Sequence, residues 1–170
     1  ENIHLFRIKL PQHKSGMVDQ ALAFFHYFFK SQKMLKTKEY DMVFATSSRL
    51  FTAFLGAYIA CKKNIPLFLD IRDIFLDTLN SILKTWQLFI LKPIIANIER
   101  FTIKQANHIN LVSEGFKDYF IKKYPYKSFS YFTNGIDEEF FNYDFNKTTK
   151  SNKKIITYAG NIGEGQVEYG

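Results

Sequence analysis

Short apolar runs alternate along this chain with longer stretches in which apolar residues recur every three or four positions. Ile3 to Lys9 alternates like a strand, and Ser15 is placed to cap a helix over Met17 to Lys36, where Leu22, Phe25, Phe28 and Phe29 fall at helical spacing. Tyr40 to Ala45 is a continuous apolar run of the kind that needs cover on both faces, followed by a Ser47-Ser48 turn and a helix from Arg49 to Lys62. Pro66 to Asp70 supplies the next strand. A long helical stretch then runs from Leu76 to Gln105, with an interruption expected at Pro93, which has no N–H to donate. A strand at His108 to Val112, a helix at Glu114 to Tyr124 and a short strand at Phe129 to Phe132 complete the series. Strict alternation of strand and helix predicts a mostly parallel sheet flanked by helices, an α/β class of Rossmann-like type.

The rhythm breaks over Asp137 to Asn152, which is rich in polar, turn-forming residues, and resumes with a strand from Lys153 to Ala159 and the turn Gly160-Asn-Ile-Gly163. Three parts follow: a Rossmann-like domain over 1–137, a connection over 138–152 and the start of a second α/β domain over 153–170. The chain opens on Glu1 rather than methionine and stops seven residues past a fresh glycine turn, so both ends are expected to be cut.

Length and composition suit one cored domain: 170 residues, 46% hydrophobic. The longest apolar run, Phe51 to Cys61, is broken by Gly56 and falls short of the ~18 residues that cross a bilayer, so no transmembrane helix is expected. Cys61 is the sole cysteine, which excludes an intrachain disulfide; its apolar surroundings predict a small core residue. The net charge of +7, beside 19 Phe and 10 Tyr, favours polyanions such as nucleic acid, anionic lipid or phosphorylated small molecules. The same Lys-, Phe-, Ile- and Asn-rich usage also follows from the codon bias of an AT-rich genome. His4, His13, His26 and His108 show no ligand spacing, and Asp137-Glu-Glu139 reads as a solvated loop, so no metal is assigned.

Ligands of open parallel sheets bind beyond the C-terminal ends of the strands. The residues there are Ser47 and Ser48, Asp70 to Asp73, Ser113, Asn134 to Asp137, and Gly160 to Gly163. Asp70-Ile-Arg-Asp73 carries the densest charge. A phosphatase with a nucleophilic Asp and a second Asp two positions on is not matched, because the second position is Arg72. Two readings stay open: an Asp73–Arg72 surface pair or an Asp73 helix cap, and a carboxylate with a guanidinium lining a sugar or diphosphate pocket. Gly160-Asn-Ile-Gly163 would let backbone N–H groups approach a diphosphate, but it departs from the Gly-x-Gly-x-x-Gly dinucleotide fingerprint. Phe116 to Lys127, aromatic and basic by turns, suits either an anionic membrane surface or a solvated helix. Single-stranded nucleic acid would need rings exposed on a sheet or groove, whereas Phe24 to Phe29 falls at helix-packing intervals.

Taken in order, Tyr40-Asp-Met-Val-Phe-Ala-Thr-Ser-Ser48, Pro66-Leu-Phe-Leu-Asp-Ile-Arg-Asp73, Ile98-Glu-Arg100, Asn107 to Ser113, Thr133-Asn-Gly-Ile-Asp137 and Ile155 to Gly163 resemble the family 4 retaining GT-B glycosyltransferases, particularly the bacterial branch that builds O-antigen, capsule and colanic acid. The resemblance implies the N-terminal half of a GT-B fold and transfer of a sugar, with retention, from a nucleotide diphosphate sugar to a glycan acceptor carried on a polyprenyl diphosphate. It implies catalytic roles for Asp73 and Arg72, acceptor contacts from Ser47, Ser48, Asp70 and Ser113, and donor contacts from Asn134, Gly135, Gly160, Asn161 and Gly163. Neither cofactor nor metal is expected, and no nucleic acid partner. The implied location is the cytoplasm, at the inner face of the cytoplasmic membrane. The glycine-rich opening loop and the paired donor glutamates of the family do not occur in these 170 residues, so the chain alone is expected to be inactive. The alternatives are a non-catalytic nucleic-acid- or partner-binding α/β module and a nucleotide-sugar epimerase.

Overall fold

The computed structural model of the protein describes residues 3–11, 17–47, 50–74, 85–138 and 141. Helix α1 (Met17–Leu35) leads into β1 (Val43–Ser47), α2 (Leu50–Lys63) and β2 (Leu67–Ile71). Helix α3 (Thr85–Gln105), β3 (His108–Leu111), a 3-10 turn at Glu114–Phe116, α4 (Lys117–Lys123) and β4 (Phe129–Ser130) follow. The four strands form one sheet in the order β1-β2-β3-β4, and every pair is parallel. This is the α/β, Rossmann-like architecture that the alternation predicts.

Side chains in a strand alternate between faces, and the register here aligns that alternation across the sheet. Ala45, Leu67, Leu69, Ile71, Ile109 and Leu111 point one way, into a core completed by Ala53, Ala57 and Ala60 of α2, Ile103 of α3 and Phe120 of α4. Strands paired in chain order by right-handed crossovers place each connecting helix on the same side. Among the described residues the other face is accordingly open. Phe44, Phe68 and His108 stand there in register, with ring centroids 5.3 and 4.8 Å apart. Phe44 keeps 60% of its surface exposed, so among the described residues the second-face cover expected from the apolar run over 40–45 is not found at this strand.

Helix α2 lies so close to β1 that a Cβ on Gly56 would sit 2.5 Å from the Ala45 Cβ. The small side chains Ala53, Ala57 and Ala60 extend that close contact along the helix. Helix α1 rests on α2 through Phe24 against Phe51, 5.0 Å between ring centres, and Phe28 against Tyr58, 5.2 Å. Helix α4 is fastened to α3 by a buried polar cluster. The Glu99 carboxylate accepts from Tyr124 Oη at 2.6 Å, Tyr119 Oη at 3.2 Å and Lys123 Nζ at 2.6 Å. Burial, followed by the hydrogen bond to Glu99, holds the Tyr124 phenol protonated far above its ordinary range.

Four expectations need correction. Ile3 to Lys9 joins no ladder, and Ile3, Leu5 and Phe6 are exposed; alternation alone cannot supply a pairing partner. Helix α3 continues through Pro93, because residues 93 and 94 are exposed and the Phe89 carbonyl that loses its donor can face water. Strand β1 begins at Val43, three residues after Tyr40. Cys61 is exposed at the far end of α2, one residue past the buried Ala60.

Candidate functional site

Beyond the C-terminal ends of the strands, two distant segments meet. Arg72, just after β2, donates through Nη1 to Asn134 Oδ1 at 3.1 Å, spanning 62 residues of sequence. Its Nε donates to Asp70 Oδ2 and to Thr46 Oγ1, both at 3.0 Å. Positions 70 and 72 share a strand face, which is why Arg72 pairs with Asp70 and not with Asp73 as the surface-pair reading had it. The open face therefore carries a polar row beside its aromatic one: Thr46, Asp70, Asn110 and Ser130, in register across all four strands.

Asp70 is buried and its carboxylate is well satisfied. Besides Arg72 it accepts from Thr46 Oγ1 at 3.2 Å and from Asn110 Nδ2 at 2.7 Å. Three hydrogen bonds to the charged form, one from a guanidinium, offset the cost of burying it. Asn110 is only 3% exposed and ties the next strand in as well. Its Nδ2 donates to the Phe132 carbonyl at 3.1 Å, and its Oδ1 accepts from Phe132 N–H at 2.7 Å and Ser130 Oγ at 3.2 Å. The segment after β4 is thus held where Asn134 reaches Arg72. Sequence reasoning missed both Thr46 and Asn110. The available signal was Asn110 in His-Ile-Asn-Leu, a polar residue on the alternate face of an apolar strand.

Ser47 is fully buried, and its hydroxyl accepts from the Arg72 backbone N–H at 3.4 Å, beneath the site rather than on its surface. The Ser113 hydroxyl caps the 3-10 turn by accepting from Gly115 N–H at 3.1 Å. Asp73 is exposed, with no hydrogen-bond or ion-pair partner among the described residues, yet partial desolvation of its carboxyl raises its pKa above the ordinary carboxylate value. Gly135 is exposed, and a Cβ there would meet nothing within 4 Å, so packing does not demand glycine. Ser48, Gly160, Asn161 and Gly163 lie outside the described residues, as do the helix that Asp73 would cap, the second-domain start at 153–170 and nearly all of the connection over 138–152.

Arg72 and Asn134 thus meet at one rim, exposed above a buried hydrogen-bonded floor, and the exposed Asp73 follows Arg72 directly in the chain. Chemically the set can bind an anion or a polyhydroxylated ligand through Arg72 and Asn134, and Asp73 can accept a hydroxyl proton. Among the described residues no group of three or more His, Cys, Asp or Glu gathers as metal ligands would. No protein-family model matches this chain, and no curated protein matches it either.

Proposed function

We propose that the chain is the acceptor-side part of a retaining GT-B glycosyltransferase, which passes a sugar from a nucleotide diphosphate donor to a hydroxyl of a lipid-linked glycan. The supporting observation is the Arg72–Asn134 bond. It brings Asp70-Ile-Arg-Asp73 and Thr133-Asn-Gly-Ile-Asp137, two of the segments that carry the family resemblance, to the sheet edge where open α/β folds bind ligands. Arg72 stabilises the negative charge that builds on the departing diphosphate, and Asp73 orients the attacking hydroxyl. Glycine at 135, unneeded for packing, leaves room for a ligand against the backbone.

Calorimetric titration of the complete gene product with a panel of uridine and guanosine diphosphate sugars, in the presence of chelator, tests this reading. Binding of at least one sugar nucleotide, weakened tenfold or more by Arg72→Ala, is expected. A folded protein that binds no member of the panel would refute it.

A second reading has its own observation. The in-register rings of Phe44, Phe68 and His108 lie on an exposed sheet face of a cationic protein, the arrangement that single-stranded RNA readers use. Their planes are inclined to one another by only 20 and 26°, so the rings stack on each other and offer edges rather than faces to a base. For that reason the glycosyltransferase reading is preferred.

A further inference from the structure

We infer that α1 is a membrane-docking helix, set on an anionic lipid surface by its outward face. The inference deepens the proposed function by naming the surface that would hold the enzyme beside a lipid-linked acceptor. Helix α1 is apolar on two adjoining sides. Phe24 and Phe28 face inward against Phe51, Phe54 and Tyr58 of α2. Leu22, Phe25 and Phe29 recur at i, i+3 and i+7 on the other side and are 60, 56 and 66% exposed. Water is a poor neighbour for such a stripe. Each outer ring leans on an inner one, Phe25 on Phe24 at 6.1 Å and Phe29 on Phe28 at 5.6 Å, so the stripe is braced rather than loose.

Lysines supply the other half of the argument. Lys33 continues the same face one turn past Phe29, and Lys30 flanks it; both are exposed, with exposed Lys36 just beyond the helix. An apolar stripe bordered by cations is the pattern of helices that lie in the headgroup layer of anionic membranes. A second copy of the chain fits less well. Three side chains of this exposure offer roughly 300–400 Å², against the ~800 Å² per partner of a stable interface. Shallow lipid insertion needs no such area. The Phe116 to Lys127 segment offers less: Phe120 and Tyr124 are buried and Lys123 is bound to Glu99, so Ile121 and Tyr126 are exposed without forming a stripe with them.

Co-sedimentation with vesicles of phosphatidylglycerol and phosphatidylcholine tests the assignment in the complete gene product. Binding that weakens as salt rises is expected, because exposed charges are screened over ~8 Å at physiological ionic strength. Phe25→Ser with Phe29→Ser should reduce partitioning at least tenfold, and Lys30→Glu with Lys33→Glu should do so on anionic vesicles while leaving the melting temperature near that of the parent. Lys122→Glu on α4 should change it less than twofold. Vesicle binding unchanged in both double variants would overturn the proposal. So would loss of a concentration-dependent dimer, or of single-stranded RNA binding, in place of lost vesicle binding. The same variants should bind sugar nucleotides as the parent does, which keeps this test separate from that of the glycosyltransferase reading.

Discussion

Glu99 and Asp73 are carboxylates in opposite circumstances, and each leads to a measurement. Glu99 is 2% exposed and is the shared acceptor for two tyrosines and a lysine. Glu99→Ala removes the carboxylate that Lys123, Tyr119 and Tyr124 share, and with it the acceptor of the buried Tyr124 phenol. It should destabilise the fold by about 3 kcal/mol in urea unfolding, the low end for breaking a buried pair, since Lys123 keeps some contact with water. Lys123→Met, which retains the packing stem, should cost less than half as much. For Asp73 the sign is reversed. Desolvation raises its folded pKa, so its contribution to stability is present below the ordinary value of 3.8 and is lost as pH rises through the raised value. At pH 7 the charge is a small burden. Asp73→Asn should therefore melt at the same or a slightly higher temperature than the parent at pH 7, with any gain vanishing below about pH 3.8. If the proposed reaction is right, the same variant loses at least tenfold in turnover, and a matching loss of stability would point to a structural role instead.

At the level of elements, α2 lies very close on β1. A methyl group at position 56 has no room against Ala45, and the obstacle is a Cβ held by the backbone of a strand. Gly56→Ala should cost about 1–3 kcal/mol by overpacking, despite alanine's better helix propensity. Ala45→Gly in the same chain should recover part of that loss, and a double-mutant cycle in urea would show the coupling. Helix α3 offers the converse case: Pro93→Ala should stabilise by up to about 3 kcal/mol, because an exposed helix interior gains both a donor and propensity. These examples also show what was legible beforehand. Periodicity located α1, α2, β2 and β3 to within about three residues, because each buries a face whose spacing is written in the chain. It mistook Ile3 to Lys9 for a strand, since a ladder depends on a partner that local pattern does not encode. That Asp70, Arg72 and Asn134 lie at the C-terminal ends of strands was readable from the alternation of strands and helices, but the bond between Arg72 and Asn134 was not. It depends on Asn110 gripping both the Asp70 carboxylate and the backbone of Phe132, a contact between residues that no spacing rule relates.

For the whole molecule, the order of the strands has a consequence for how the protein comes into being. Residues that face each other across the sheet are separated by 24 positions from Thr46 to Asp70, 40 from Asp70 to Asn110 and 20 from Asn110 to Ser130. Among the described residues each strand pairs with the one before it in the chain, so this part of the sheet can grow at a single moving edge. Loop closure at these separations is inexpensive, and topologies of this kind fold quickly for their size. Such a chain is suited to assembly on the ribosome in the direction of translation, each strand and helix docking as it leaves the exit tunnel. Hydrogen exchange on stalled nascent chains should show amides of β1 and β2 protected before β4 has been made. Protection that appears at β1 only once β4 has emerged would mean that the sheet closes as one unit, whatever its order suggests.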